Sequence, residues 1–207
     1  MTNLRNVSGH LINRIMKAEA ERTHTEFVNL MHPYFEIIPK AEIEISPDLD
    51  VDEARFLAKK GYFTISLGSN HANNYSLREI LYLSKHNAAH ETCHLAHLES
   101  LCRIHRTKNL YSKGHPKKWI ATELVSELGA YLFFKQKGME SEYLFITEES
   151  GYDLNKVIFN IFGSLPIELT SAILQNISPK SRFSEIMGFL ESQGFNRREI
   201  KKNLLSI

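Results

Sequence analysis

The densest run of chemistry-bearing side chains is HNAAHETCHLAH, residues 86–97. Within it, His90, Glu91 and His94 form an H-E-x-x-H pattern. On an α-helix, residues four apart lie about 40° apart around the axis and one turn up. Two imidazoles at that spacing can share one tetrahedral zinc at about 2.0–2.1 Å. Glu91 lies about 100° round from His90, beside such a metal and not on it. A carboxylate there is placed to act as general base on a water that the metal activates. Asn87, Ala88, Ala89, Thr92, Cys93, Leu95 and Ala96 carry no charge. A buried metal helix requires this, because a stray charge would be desolvated or would compete for the ion. Chance produces H-E-x-x-H in about one such sequence in twenty, so the pattern needs a companion.

The companion is KKWIATELVSELGAYLFF, residues 117–134, with Glu123 and Glu127 four apart. Leu124, Val125 and Leu128 give this helix a buried side. Here the sequence resembles the gluzincins, the thermolysin-like side of the zincin metallopeptidases. Thr122-Glu123-Leu124-Val125-Ser126-Glu127-Leu128-Gly129 looks like their N-E-x-x-S-D-x-x-G pattern, with the last glycine one position early. The resemblance covers about residues 76–138. It implies that Glu123 is the third zinc ligand and that Glu127 orients His90 from behind. It implies also a zincin-like fold, a Zn2+ cofactor and peptide-bond hydrolysis. Two residues depart from the pattern: Glu127 replaces the usual Asp and is one methylene longer, and Thr122 replaces Asn. The metzincin continuation needs a glycine at position 97 and a histidine at position 100, where this chain has His97 and Ser100.

Other residues compete for roles at the site. His115, in KGHPKK, is an alternative third ligand. His90 and His97 stand about 10.5 Å apart along the axis, too far to share one zinc. His86 and His97 are therefore expected to cap the metal pocket or line the cleft. The oxyanion that forms as water adds to a peptide carbonyl needs a donor. Tyr131, Tyr143 and Tyr152 are the candidates, and Tyr152, in EESGYDL, is the best placed. No G-x-M-E-N lies upstream of the histidines, which favours an endopeptidase over an aminopeptidase.

The elements that must position these residues follow from periodicity. About 7–31 carries Leu11, Ile12, Ile15, Phe27, Leu30 and Met31 at helical spacing. YFEII (34–38) and AEIEIS (41–46) read as strands, the second in strict alternation. VDEARFLAKKG reads as a short helix capped by Asp50 and closed by Gly61. YFTISL (62–67) reads as a strand, the candidate edge for an extended substrate. Two long helices are expected over about 76–105 and 117–137, joined by RTKNLYSKGHP. MESEYLFITEESGYD (139–153) reads as a loop, followed by helices over about 153–163, 166–177, 181–192 and 196–205. Early strands and late helices make an α+β chain. One domain, 1–207, is expected: an α/β half to about 107, with a small sheet packed on the metal helix, then an all-helical half from about 117.

Composition narrows the function classes. The chain has 207 residues, 43% of them hydrophobic, enough for a real core. Its 25 Lys+Arg nearly balance 24 Asp+Glu, so no nucleic-acid partner is indicated. Arg197, Arg198, Lys201 and Lys202 read as the solvated face of a last helix. Cys93 and Cys102 lie about 13.5 Å apart along one helix, too far for a disulfide, which suits a reducing compartment. The start lacks the apolar run of a cleavable signal, and no stretch approaches the roughly 18 apolar residues of a membrane span. A cytoplasmic protein is expected, or one exported without a cleavable N-terminal signal. The expected function is a zinc-dependent peptidase acting on a narrow range of protein or peptide substrates. Its rivals are a regulatory or toxin-like protease with one target, and a helical adaptor whose histidine stripe is structural.

Overall fold

A computed structural model of the chain describes residues 9–46, 53–57, 62–69, 75–105, 116–149, 153–180, 182–198 and 200. Helix α1 (Gly9–Met31) leads into a 3-10 turn (His32–Tyr34) and strands β1 (Ala41–Ser46), β2 (Glu53–Leu57) and β3 (Tyr62–Gly68). Two long helices follow, α2 (Leu77–Ile104) and α3 (Pro116–Gln136), and then four shorter ones. These are α4 (Glu140–Glu149), α5 (Asp153–Phe162), α6 (Ile167–Ile177) and α7 (Phe183–Ser192). The α+β class is as expected, with the sheet before α2 and only helices after it among the described residues.

Helix α2 starts where its sequence dictates. The Ser76 hydroxyl accepts from the Glu79 backbone N–H, and the Glu79 carboxylate accepts from the Ser76 N–H, a capping box. The sheet order is β1-β3-β2. Strand β1 runs parallel to β3, with Ile43 opposite Ile65, and β2 runs antiparallel to β3, with Phe56 opposite Phe63. Ile43, Ile65 and Leu67 pack on Ala20 of α1 and Ala88 of α2, whose small side chains let the sheet lie close against both helices. A buried chain ties the same elements together. The Ala41 N–H donates to His24 Nε2 (3.2 Å), and His24 Nδ1 lies 2.9 Å from Thr92 Oγ1. Thr92 in turn donates to the Ala88 carbonyl (2.6 Å). A backbone N–H can only donate, so His24 is the neutral Nδ1–H form.

Four expectations are corrected. The run 62–67 is not an edge strand: β3 is central, with both of its sides taken by β1 and β2, so no extended peptide can pair with it. Among the described residues, β1 and β2 are the outer strands of the sheet. The expected helix over VDEARFLAKKG holds strand β2 instead, because ladder bonds to β3 outweigh the weak helical tendency of so short a segment. No strand forms over 34–38. Pro33 starts the 3-10 turn, and both backbone groups of Ile37 pair with Ser100 Oγ, at 3.2 and 3.3 Å, in place of a ladder. The expected loop over 139–153 contains α4, which buries Tyr143 and Ile146 on one side. The last helix is described only at Arg197, Arg198 and Ile200; Lys201 and Lys202 lie outside the described residues.

The main core lies between α2, α3 and the later helices. The helices α2 and α3 approach closely at Gly129, where a β-carbon would collide with Cys93 Sγ. Cys93 and Cys102 remain thiols, as the spacing required. Among the described residues, no helix is long and apolar enough to cross a membrane.

Candidate metal centre

Helices α2 and α3 run in opposite directions, so residues four apart on each meet in sequence. His86 Nε2 lies 2.9 Å from Glu127 Oε1, and His90 Nδ1 lies 2.8 Å from Glu127 Oε2. One turn further, His90 Nε2 lies 3.3 Å from Glu123 Oε2, and His94 Nε2 lies 3.1 Å from Glu123 Oε1. The result is a ladder, His86–Glu127–His90–Glu123–His94, in which each carboxylate spans two imidazoles. The rings of His90 and His94 stand 4.6 Å apart, edge to face. Glu91 is buried on the same turn, and its carboxylate lies within 4.8 Å of the His90 and His94 nitrogens.

Burial and charge work against each other here. Burial pushes the Glu127 carboxyl up, but the charge of His86 and hydrogen bonds from His86 and His90 hold it well below the usual carboxylate range. Glu123 behaves alike: burial raises it, and His94 and His90 together outweigh that and hold it far down. His90 is held well above its usual value, because Glu123 and Glu127 offset the burial that opposes its charge.

The buried donors of His86, His90 and Glu127 could hold a metal ion, and so could those of His90, Glu91 and the half-buried His94. Distances separate the two ends of the ladder. At Glu127 they are 2.8 and 2.9 Å, the length of charge-assisted hydrogen bonds. Glu127 also accepts from Tyr143 Oη at 2.5 Å. Asn155 finds partners only with its amide nitrogen facing the carboxylate, where it donates to both oxygens at 3.2 Å. At Glu123 the distances are 3.1 and 3.3 Å, longer than such bonds. Two ligand atoms that each lie 2.0–2.1 Å from one tetrahedral zinc stand about 3.3 Å apart. Both carboxylates thus bridge two imidazoles, with the shorter contacts and the additional donors at Glu127.

The structure thus brings His90, Glu91, His94, Glu123 and Glu127 together. His86 joins them, in one of the two groups that could hold an ion, as expected of a residue at the metal pocket. His86 is buried on Glu127. His97 is wholly buried, and among the described residues neither ring nitrogen has a partner at hydrogen-bond geometry. Burial and the nearby His94 push its pKa down to about 3, and the Lys180 backbone opposes this only weakly. Tyr131 and Tyr143 are fully buried, with their hydroxyls on Gly163 O and on Glu127, so neither faces a substrate. Tyr152 and His115 lie outside the described residues. Sequence reasoning missed the roles of Tyr143 and Asn155. The available signal was an asparagine on the apolar side of α5, beside Leu154 and Ile158. A cleft of about 230 Å³ lined by Tyr34, Ser100 and Ser178 contains none of the ladder residues. The chain matches no protein-family model, no curated protein and no solved structure.

Proposed function

We propose that the chain is a zinc-dependent peptidase of zincin-like fold, with His90, His94 and Glu123 as zinc ligands. One observation carries the reading: Glu123 spans two imidazoles of an H-E-x-x-H turn at 3.1 and 3.3 Å. Two imidazoles and one carboxylate are the donor set of hydrolytic zinc sites, which keep a position open, whereas structural sites close all four with Cys and His. Zinc held there supplies a Lewis acid that polarises a scissile carbonyl and lowers the pKa of water to about 7.

The chain's own residues supply the rest. Glu127 holds the proton on His90 Nδ1, which leaves Nε2 turned toward Glu123. The Glu91 carboxylate takes the proton of the attacking water and delivers it to the departing amide nitrogen. The substrate is a protein or peptide, and a cytoplasmic setting suits the two thiols. The competing reading, an adaptor in which the ladder is only a structural joint, draws support from the full set of donors on Glu127. Metal analysis separates the two. Purified protein exchanged into buffered zinc is expected to hold near one zinc per chain and to cleave peptides. Glu91→Gln is expected to keep the zinc and lose activity by several orders of magnitude. A wild-type chain without stoichiometric zinc, or a fully active Glu91→Gln, refutes the proposal.

A further inference from the structure

Glu127 stands where the gluzincin pattern has an aspartate, and its extra methylene adds one torsion that must be fixed before the carboxylate can orient anything. Fixing a long buried side chain costs rotamer freedom. The donors around Glu127 offset that cost. Oε1 accepts from His86 Nε2 and Tyr143 Oη, Oε2 accepts from His90 Nδ1, and Asn155 spans both. Tyr143 and Asn155 come from α4 and α5. Of these partners, only His86 sits on the same helix as His90, one turn earlier, with the two rings 5.9 Å apart. A carboxylate bonded to both imidazoles cannot turn without breaking one bond. His86 Nδ1 in turn lies 3.1 Å from Asn87 Oδ1, which fixes the rotation of the clamping ring itself. His86, Glu127, Tyr143 and Asn155 are all buried, so water does not substitute for a lost donor.

We propose that His86 is a positioning residue of the metal centre: it clamps Glu127 so that Glu127 holds His90 Nδ1 and leaves Nε2 aimed at Glu123. This rests on the metal reading above and names a residue outside the ligand set that fixes the geometry of that site.

The test compares His86→Leu, which removes both ring nitrogens, with His86→Gln, which keeps a donor of similar reach. Three readouts apply: zinc affinity by chelator competition, the visible absorption of the cobalt-substituted protein, and kcat against KM. A fourth is the low-field Nδ1 proton of His90 in chelator-treated protein, identified by its loss in His90→Ala. In His86→Leu we expect zinc affinity to fall about 10-fold, the lower end of the range for groups behind a ligand. The cobalt spectrum shifts, kcat drops with KM near wild type, and the His90 proton is lost to exchange. His86→Gln restores most of each. A role in packing alone lowers thermal stability in both variants and leaves affinity, spectrum and the His90 proton unchanged; that result overturns the proposal. If His86→Leu does not fold, His86→Asn, too short to reach Glu127, replaces it in the same comparison. A wild type that binds neither zinc nor cobalt refutes the metal reading instead. The His90 proton then decides His86 alone: its loss in the variant supports the clamp, and its persistence overturns it.

Discussion

Replacing Glu127 by alanine leaves four donors facing one another across a space that no longer holds an acceptor. His86, His90, Tyr143 and Asn155 all point at that carboxylate, and Glu127 is fully buried. Each buried donor left without a partner costs about 1–3 kcal/mol, so a simple sum runs to roughly 4–12 kcal/mol. The sum overshoots, since orphaned side chains relax and share the vacated volume. Removing one partner of a buried charged pair costs about 3–5 kcal/mol, which we take as the expected loss. Against a total stability of about 5–15 kcal/mol, that is a large fraction. The assay is urea unfolding followed by circular dichroism, with chelator present so that metal binding does not enter. With a slope of about 3 kcal/mol per M, the midpoint should fall by about 1–1.7 M. A midpoint within about 0.3 M of wild type means that the four donors find other partners, and the ladder as described is then wrong.

Two further outcomes follow from packing and burial. Gly129→Ala sets a β-carbon against Cys93 Sγ and should cost about 1–3 kcal/mol, less the small gain in helix propensity. Adding Cys93→Ala should recover most of that loss, and additive losses in the urea midpoints of the double variant contradict the contact. His97 is pushed down to about 3, so the unfolded chain binds its proton below about pH 6.5 before the folded chain does. Stability therefore falls as pH drops through that window, by about 2 kcal/mol from this group at pH 5. His24, also lowered by burial, adds loss of the same sign. His97→Leu should lose about 2 kcal/mol less than wild type between pH 8 and pH 5 in urea titrations. An unchanged difference shows that His97 does not remain neutral in the fold.

What was legible in the sequence was local in origin. The i, i+4 geometry of a helix places His90 over His94 and Glu123 over Glu127 whatever the tertiary structure, so both pairs could be read directly. The long apolar periods of α1, α2 and α3 survived for the same reason. The failures concern choices that another segment makes. Whether YFTISL is an edge or a centre depends on which strands arrive on either side of it, and nothing within 62–67 encodes that. The segment containing β2 is too short for periodicity to separate strand from helix, and its pairing with β3 decided. Ile37 lost its strand to one hydroxyl, Ser100, 63 residues away. The loop expected over 139–153 hid a helix because Tyr143, read as a candidate catalytic group, is a core residue with its hydroxyl on Glu127.

The two carboxylates of α3 show why this pairing of helices is asymmetric. Glu123 and Glu127 are the same residue type, one turn apart, each facing two histidines of α2. By symmetry the ladder offers two equivalent places for an ion, sharing His90 between them. The symmetry is broken from behind α3, where α4 brings Tyr143 and α5 brings Asn155 to Glu127. Donors carrying protons exclude a cation, because the lone pairs that would bind it are already committed. The helices after Gly138 therefore bear on the ladder from behind: they add donors to Glu127, which under the zinc reading proposed above leaves Glu123 as the carboxylate for the ion. Removing these donors should let the second place compete. Tyr143→Phe combined with Asn155→Leu leaves Glu127, among its described partners, with its two imidazoles. That variant should take up a second equivalent of zinc in a chelator-competition titration. A stoichiometry that stays at the wild-type value would mean that some other feature, and not the donor set, keeps the Glu127 end closed to metal.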